Sequence, residues 1–177
     1  MFIDVPNRLT LESDREALVN LFWKAKRILE IGINEGYTAK LLLDNIPGIQ
    51  SYVGIDVPSY HVTRLEAQRL EVPVVPGQVV CDDKRVRLFV RPGGSEAVAA
   101  DEIGECDAAF IDGDHSRIAV EYDSALARQC VRYGVILWHD YRDPPTEVNA
   151  VIGRLVNAGA MIDHIPGTWL ACERRWR

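Results

Sequence analysis

Leu29-Glu-Ile-Gly-Ile-Asn-Glu-Gly-Tyr-Thr38 is the stretch on which the fold turns. The run from Arg27 to Ile31 is mostly apolar and stops at Gly32, which suits a buried strand. From Thr38 to Asp44 the apolar positions take helical spacing, and Asn45-Ile-Pro-Gly48 ends that segment. Between strand and helix, Gly32 and Gly36 let the backbone turn sharply and approach a ligand closely. The helix that follows presents free N–H groups at its start.

Working outward, strands are predicted at Ser51–Ile55, Val86–Arg91, Cys106–Ile111 and Val135–Trp138. Upstream, Leu11 to Lys24 reads as a helix, with Ser13 and Glu16 spaced as a capping box. Further helices are predicted over Val62–Leu70, Ser95 to about Glu102, Ile118–Val131 and Pro144–Ala158, the last with proline in its first turn. The Val- and Pro-rich stretch Glu71–Asp83 fits neither period. Two closing strands, Met161–Ile165 and Thr168–Glu173, flank Pro166-Gly167.

Strands alternating with helices imply a parallel sheet covered on both faces. The last two strands meet through a tight turn, so they must be antiparallel, because a parallel pair needs a long crossover. The expected fold is therefore α/β: a three-layer sandwich around a mostly parallel seven-stranded sheet with a terminal antiparallel hairpin. That hairpin separates the chain from an ordinary dinucleotide-binding domain.

The length of 177 residues suits one domain, with residues 1–26 an N-terminal helical segment and 27–177 the core. A net charge of −6 argues against a sequence-independent grip on nucleic acid. No apolar run approaches the ~20 residues of a membrane span, and Asp4, Glu12 and Asp14 interrupt any signal-like N-terminus. Cys81, Cys106, Cys130 and Cys172 are scattered singly, as expected of reduced thiols in a cytoplasmic protein.

Two groups of residues carry chemistry. At the glycine turn, Gly32, Ile33, Asn34, Gly36 and Tyr37 would wrap a ligand, and Asp56, at the end of the next strand, would accept ribose hydroxyls. Glu30 would repel a pyrophosphate but suits a ligand with a positive amine and a sulfonium. The second group is Phe110-Ile-Asp-Gly-Asp-His-Ser116 with Trp138-His-Asp-Tyr141. Both follow strands, so Asp112, Asp114, His115, His139 and Asp140 should share the crevice beyond the strand ends. So many ionisable groups need mutual pairing or a cation. Carboxylates with histidine suit Mg²⁺, Mn²⁺ or Ca²⁺, or Zn²⁺ if the histidines dominate. Asp114 and Ser116 could instead cap the helix that begins near Arg117.

From about Arg27 to Glu173 the chain resembles the class I S-adenosylmethionine-dependent methyltransferases. Their Glu-x-Gly-x-x-x-Gly motif lines the methionine end of the cofactor and matches Glu30, Gly32 and Gly36. The resemblance implies a Rossmann-like fold, S-adenosyl-L-methionine as cofactor, and Ser95 and Glu96 at the adenine edge. Ile-Asp-Gly-Asp-His-Ser followed by His-Asp also looks like a family of small bacterial and phage-borne methyltransferases. It is similar to the divalent-metal-dependent O-methyltransferases of the catechol and caffeoyl-CoA type. By that resemblance Asp112, His139 and Asp140 are the metal ligands and His115 stands at the position of the base. The departures are His-Asp for Asp-Asn, and His for Lys.

The implied activity is O-methylation of a small hydroxylated acceptor, such as a sugar or secondary metabolite, with or without a divalent metal. Asp112, His139 and Asp140 would orient the acceptor, and His115, with an ordinary imidazole pKa near ~6.5, would take its proton. Asp112 would also border the cofactor. Tyr37, Tyr60, Tyr141 and Trp169 are aromatic candidates for acceptor contact, with Tyr141 favoured because it follows His-Asp. The short N-terminus implies a small substrate lid, or one supplied by a second subunit in a homodimer. The alternatives are a cofactor-binding protein without turnover, and an NAD-dependent oxidoreductase, against which Glu30 and the closing hairpin count.

Overall fold

The computed structural model describes residues 2–5, 10–68 and 71–176. Its elements run in chain order as α1 (Glu12–Phe22), β1 (Arg27–Ile31), α2 (Tyr37–Asn45), β2 (Ser51–Asp56), β3 (Val86–Val90), α3 (Ala100–Ile103), β4 (Ala108–Ile111), α4 (Arg117–Cys130), β5 (Gly134–Trp138), α5 (Val148–Asn157), β6 (Ile162–His164) and β7 (Ala171–Arg175). The seven strands form one sheet in the order β3-β2-β1-β4-β5-β7-β6. The first five are parallel, and β7 lies antiparallel between β5 and β6. This is the class I methyltransferase arrangement expected from the sequence.

Strand alternation divides the core into two layers. Ile28, Tyr52, Phe110 and Leu137 face α1 and α2, where they pack with Leu18, Phe22, Leu41 and Leu42. Leu29, Val53, Ala109 and Trp138 face the other way, onto Val120, Leu126, Val151 and Ile152 of α4 and α5. The same alternation turns Glu30 toward the α1/α2 side with Ile28 and Tyr52. Strand order reverses between β1 and β4, the switch point where open parallel sheets bind ligands.

Several boundaries differ from expectation. The start of α1 is held by Asp14, whose Oδ2 accepts the Leu11 N–H at 3.2 Å. Ser13, expected as the cap, instead donates to the Gly167 carbonyl at 2.9 Å. No continuous helix spans Val62–Leu70: a single 3₁₀ turn forms at Glu66–Gln68, and Arg69 and Leu70 lie outside the described residues. The Ser95–Glu102 helix breaks into a 3₁₀ turn, Gly94–Ala97, and the short α3. Pro144 and Pro145 precede α5 in a turn rather than opening it. The expected two-residue link at Pro166-Gly167 is a loop over 165–170, closed by the Ile165 N–H to the Leu170 carbonyl at 3.0 Å. Within the described residues no helix is long and apolar enough to cross a membrane.

Candidate active site

A cavity of about 290 Å³ opens at the β1/β4 switch point. Its wall includes Glu30, Gly32, Ile33, Asn34 and Tyr37 on one side, with Asp56, Ser95 and Glu96 beyond. Asp112, His115, His139 and Asp140 form the other end of the same cavity. Gly36 sits just behind, entering α2 with φ 95°. The two groups singled out in the sequence therefore share one hollow.

Each residue is placed by a local cause. Gly32 has φ +87°, and an added Cβ would lie 2.1 Å from the Asp112 carbonyl oxygen, so the loops after β1 and β4 touch only because it is glycine. Asp56 accepts the Asn34 N–H at 2.6 Å and the Val57 N–H at 2.7 Å, which turns its carboxylate into the cavity wall. Asn34, itself at φ 49°, donates from Nδ2 to the Glu71 carbonyl at 2.8 Å, and its own carbonyl accepts the Gly77 N–H at 2.7 Å. These bonds draw the segment between β2 and β3 over the opening. Thr63, Arg64, Gln68, Glu71, Val72 and Pro73 from that segment line the cavity. The cover expected to be minimal, or borrowed from another subunit, includes this chain's own β2–β3 connection.

Burial dominates the electrostatics of the first group. Glu30 is 1% exposed, and desolvation holds its carboxyl well above the usual value, although Tyr52 Oη donates to Oε2 at 2.8 Å. Burial likewise pushes Asp56 up to about 6. Asp123 on α4, not anticipated from the sequence, also borders the cavity and is pushed by burial up to about 7. Ser95 Oγ donates to it, so Ser95 is held by a carboxylate rather than free to cap a helix. Glu96 pairs with Arg64. A cavity of carboxyls strained against ionisation favours a cationic ligand.

The second group is a compact imidazole–carboxylate cluster. His115 Nδ1 lies 3.0 Å from Asp140 Oδ2, and its Nε2 lies 3.3 Å from Asp112 Oδ1. Burial disfavours charge on the ring, but the two carboxylates prevail and raise its pKa to about 10. The ordinary imidazole value expected for His115 therefore does not hold. Gln68 works the other way: its Oε1 accepts the His115 backbone N–H at 2.8 Å, and its Nε2 stands 2.7 Å from Nδ1, where it donates only to a neutral ring. Two nearby carboxylates outweigh one neutral amide, so the charged ring dominates at neutral pH. Asp140 has φ 53°, a left-handed conformation that aspartate tolerates and that aims its carboxylate at both histidines.

His139 Nδ1 lies 2.9 Å from Asp140 Oδ1 and 3.1 Å from Asp112 Oδ1, yet it is buried without a hydrogen-bond partner. Donor atoms of Asp112, His139 and Asp140 lie within 4.8 Å of one another. An orphaned imidazole nitrogen between two carboxylate oxygens is a donor set that fits a divalent cation.

Other candidates moved. Asp114 accepts the Ser116 N–H at 2.9 Å and the Arg64 N–H at 2.9 Å, so it braces the loop and the cover. Ser116 occupies the cap position of α4, but its hydroxyl makes no cap bond; Glu147 Oε2 accepts the Arg117 N–H at 2.8 Å instead. Tyr37 and Trp169 line the cavity. Tyr141, the favoured aromatic, packs instead against His164, with ring centroids 5.6 Å apart.

A family model described as a methyltransferase domain matches residues 29–141, more than half of the chain. The chain belongs to that methyltransferase family. The matched span runs from the β1 glycine turn through the His-Asp pair, so both residue groups singled out in the sequence fall within it. Among solved structures, this methyltransferase is similar in fold to the S-adenosylhomocysteine-bound methyltransferase PaMTH1 of Podospora anserina. That match has a TM-score of 0.67 and 15% identity over 95% of this chain and 80% of the other. The O-methyltransferase NovP matches with a TM-score of 0.69 and 13% identity over 93% and 79% of the two chains. TomG of Streptomyces achromogenes, an O-methyltransferase of tomaymycin synthesis solved with S-adenosylmethionine, matches with a TM-score of 0.62 and 15% identity over 96% and 82%. At such identities the likeness is one of fold. No curated protein matches the chain.

Proposed function

We propose that this protein is an S-adenosylmethionine-dependent methyltransferase that methylates a hydroxyl of a small acceptor. The observation that carries the reading is the shared cavity: buried acids at one end and the Asp112–His115–His139–Asp140 cluster at the other. Glu30, Gly32, Ile33, Asn34, Gly36, Tyr37 and Asp56 would hold the methionine and ribose portions, with Ser95 and Glu96 toward the adenine. S-adenosylmethionine supplies an electrophilic methyl on a sulfonium, and its positive charge suits carboxyls that resist ionising beside neutral or anionic ligands. A dinucleotide's pyrophosphate would meet the same acids unfavourably, which counts against an NAD-dependent enzyme.

Methyl transfer needs an aligned nucleophile and removal of its proton. Asp112, His139 and Asp140 orient the acceptor hydroxyl, and they are the residues that would hold a divalent cation. Such a cation, when bound, supplies positive charge that lowers the pKa of a coordinated hydroxyl. His115 takes the proton in its neutral form. Asp112 and Asp140 oppose that form, Gln68 favours it, and positive charge shared by the carboxylates shifts the balance the same way as Gln68. The same cavity of about 290 Å³ has to take cofactor and acceptor together, which favours a small acceptor over a polymer.

The test begins with thermal shift and calorimetry: S-adenosylhomocysteine should stabilise the protein and NAD should not. His115→Ala should then lower turnover of hydroxylated acceptors by roughly 10²–10⁴-fold while leaving S-adenosylhomocysteine affinity nearly unchanged. Stabilisation by NAD alone would overturn the assignment. Tight S-adenosylhomocysteine binding with no demethylation of the cofactor by any hydroxylated acceptor would mark a binder without turnover.

A further inference from the structure

The cluster has a backing carboxylate for which the methyl-transfer scheme has no role. Asp14, in the first turn of α1, is 0% exposed. Its Oδ1 accepts the Trp169 N–H at 2.9 Å, its Oδ2 accepts the Leu11 N–H at 3.2 Å, and Oδ2 stands 3.3 Å from His139 Nε2. Both oxygens accept from backbone N–H groups, so Oδ2 faces His139 Nε2 as an acceptor and leaves that ring nitrogen as the donor. The proton of a neutral His139 ring is therefore on Nε2, facing Asp14.

That choice fixes the other nitrogen. Nδ1 then presents a lone pair, and it faces Asp112 Oδ1 and Asp140 Oδ1. Three acceptors pointing at one another repel unless positive charge lies among them. A second ring proton or a divalent cation can supply that charge, and the cation takes the proton's place when it binds. Metal-bound imidazoles commonly donate their other N–H to a carboxylate that sets tautomer and ring orientation.

We propose that Asp14 is a positioning residue: it fixes His139 as the Nε2–H tautomer and turns Nδ1 toward a divalent cation held with Asp112 and Asp140. This rests on the cation reading above and adds a ligand-orienting role for α1, 125 residues away in sequence.

Mn²⁺ binding, followed by calorimetry and by the loss of the free-ion paramagnetic resonance signal, tests both parts. In Asp14→Asn, an amide in place of Oδ2 donates toward Nε2 and drives the ring proton to Nδ1. The variant should bind Mn²⁺ roughly 10–100-fold more weakly, with S-adenosylhomocysteine affinity in chelator unchanged. If it is merely less stable and keeps wild-type Mn²⁺ affinity, the proposal is overturned. Should the variant not fold, ¹⁵N histidine spectra of the wild-type protein with Zn²⁺ bound decide: a lone Nε2–H at His139 supports it, and a lone Nδ1–H overturns it. If the wild type binds no Mn²⁺, the cation reading and the role of Asp14 fall together. If His139→Ala abolishes Mn²⁺ binding while Asp14→Asn does not alter it, only the role of Asp14 falls.

Discussion

Gly32 joins the two halves of the site at a single atom's clearance. Replacing it with alanine forces a Cβ against the Asp112 carbonyl and demands a left-handed φ of an L side chain. Gly32→Ala should cost about 3 kcal/mol, combining backbone strain with overpacking. Urea denaturation will measure that loss, and the variant should also lose S-adenosylhomocysteine binding. Residues of this kind were legible in the sequence because their role follows from local spacing: Glu30, Gly32 and Asp56 are fixed by strand ends and a glycine turn. Asp112, His115, His139 and Asp140 were legible for the same reason. Asp14, Gln68 and Asp123 were not, since nothing near them in the chain marks them. Asp14 matters through a contact with His139, and Gln68 through bonds to His115 across 47 residues. The proton affinity of His115 departs from that of an ordinary imidazole because it depends on two carboxylates that only the fold brings within 3.3 Å.

Among the elements, the segments around the cavity departed most from their periodic patterns. Val62–Leu70 has helix-like spacing, yet its polar groups are engaged elsewhere: the Gln68 side chain bridges to His115, and the Arg64 backbone N–H is taken by Asp114. Tertiary bonds outbid a weak local preference there. Asn34 anchors this cover, so Asn34→Gly, which keeps the left-handed backbone available, should release it. Hydrogen exchange should then accelerate over Glu71–Val80 while β1, β4 and β5 keep their protection. Unchanged exchange in that stretch would mean that Asn34 does not hold the cover. The start of α4 offers a second check. Its Arg117 N–H is capped from α5's entry by Glu147, so Glu147→Ala should lower stability by about 1 kcal/mol in chemical denaturation. The loop over 165–170 also exceeds the tight turn that its Pro-Gly pair suggested, and the extra length brings Trp169 to the cavity and to Asp14.

For the molecule as a whole, the buried acids tie stability to pH. Asp56 and Asp123 titrate at about 6 and about 7 in the folded protein, above their unfolded value near ~3.9. Between those values the folded chain binds more protons than the unfolded one, so stability falls as pH rises from about 4 through 7. The melting temperature of the ligand-free protein should drop across that window, and Asp123→Asn should flatten the drop; a melting temperature that climbs from pH 5 to 7.5 contradicts the burial argument. The sheet, its direction of strands and its two-faced core were readable from alternation and connection lengths. The lateral order of β6 and β7 was not, because a hairpin's sequence does not say which of its arms meets the rest of the sheet.

That order has a consequence for how the sheet is completed. β7 touches β5 along Ala171–Arg175 and β6 along Ala171–Glu173, whereas β6 pairs with β7 alone. Among the described residues, Ile162–His164 are therefore joined to the rest of the sheet only by way of Ala171–Glu173. Any change that strips β7 from β5 would thus strand β6 as well, although β6 itself makes no contact with β5 in the sheet ladder.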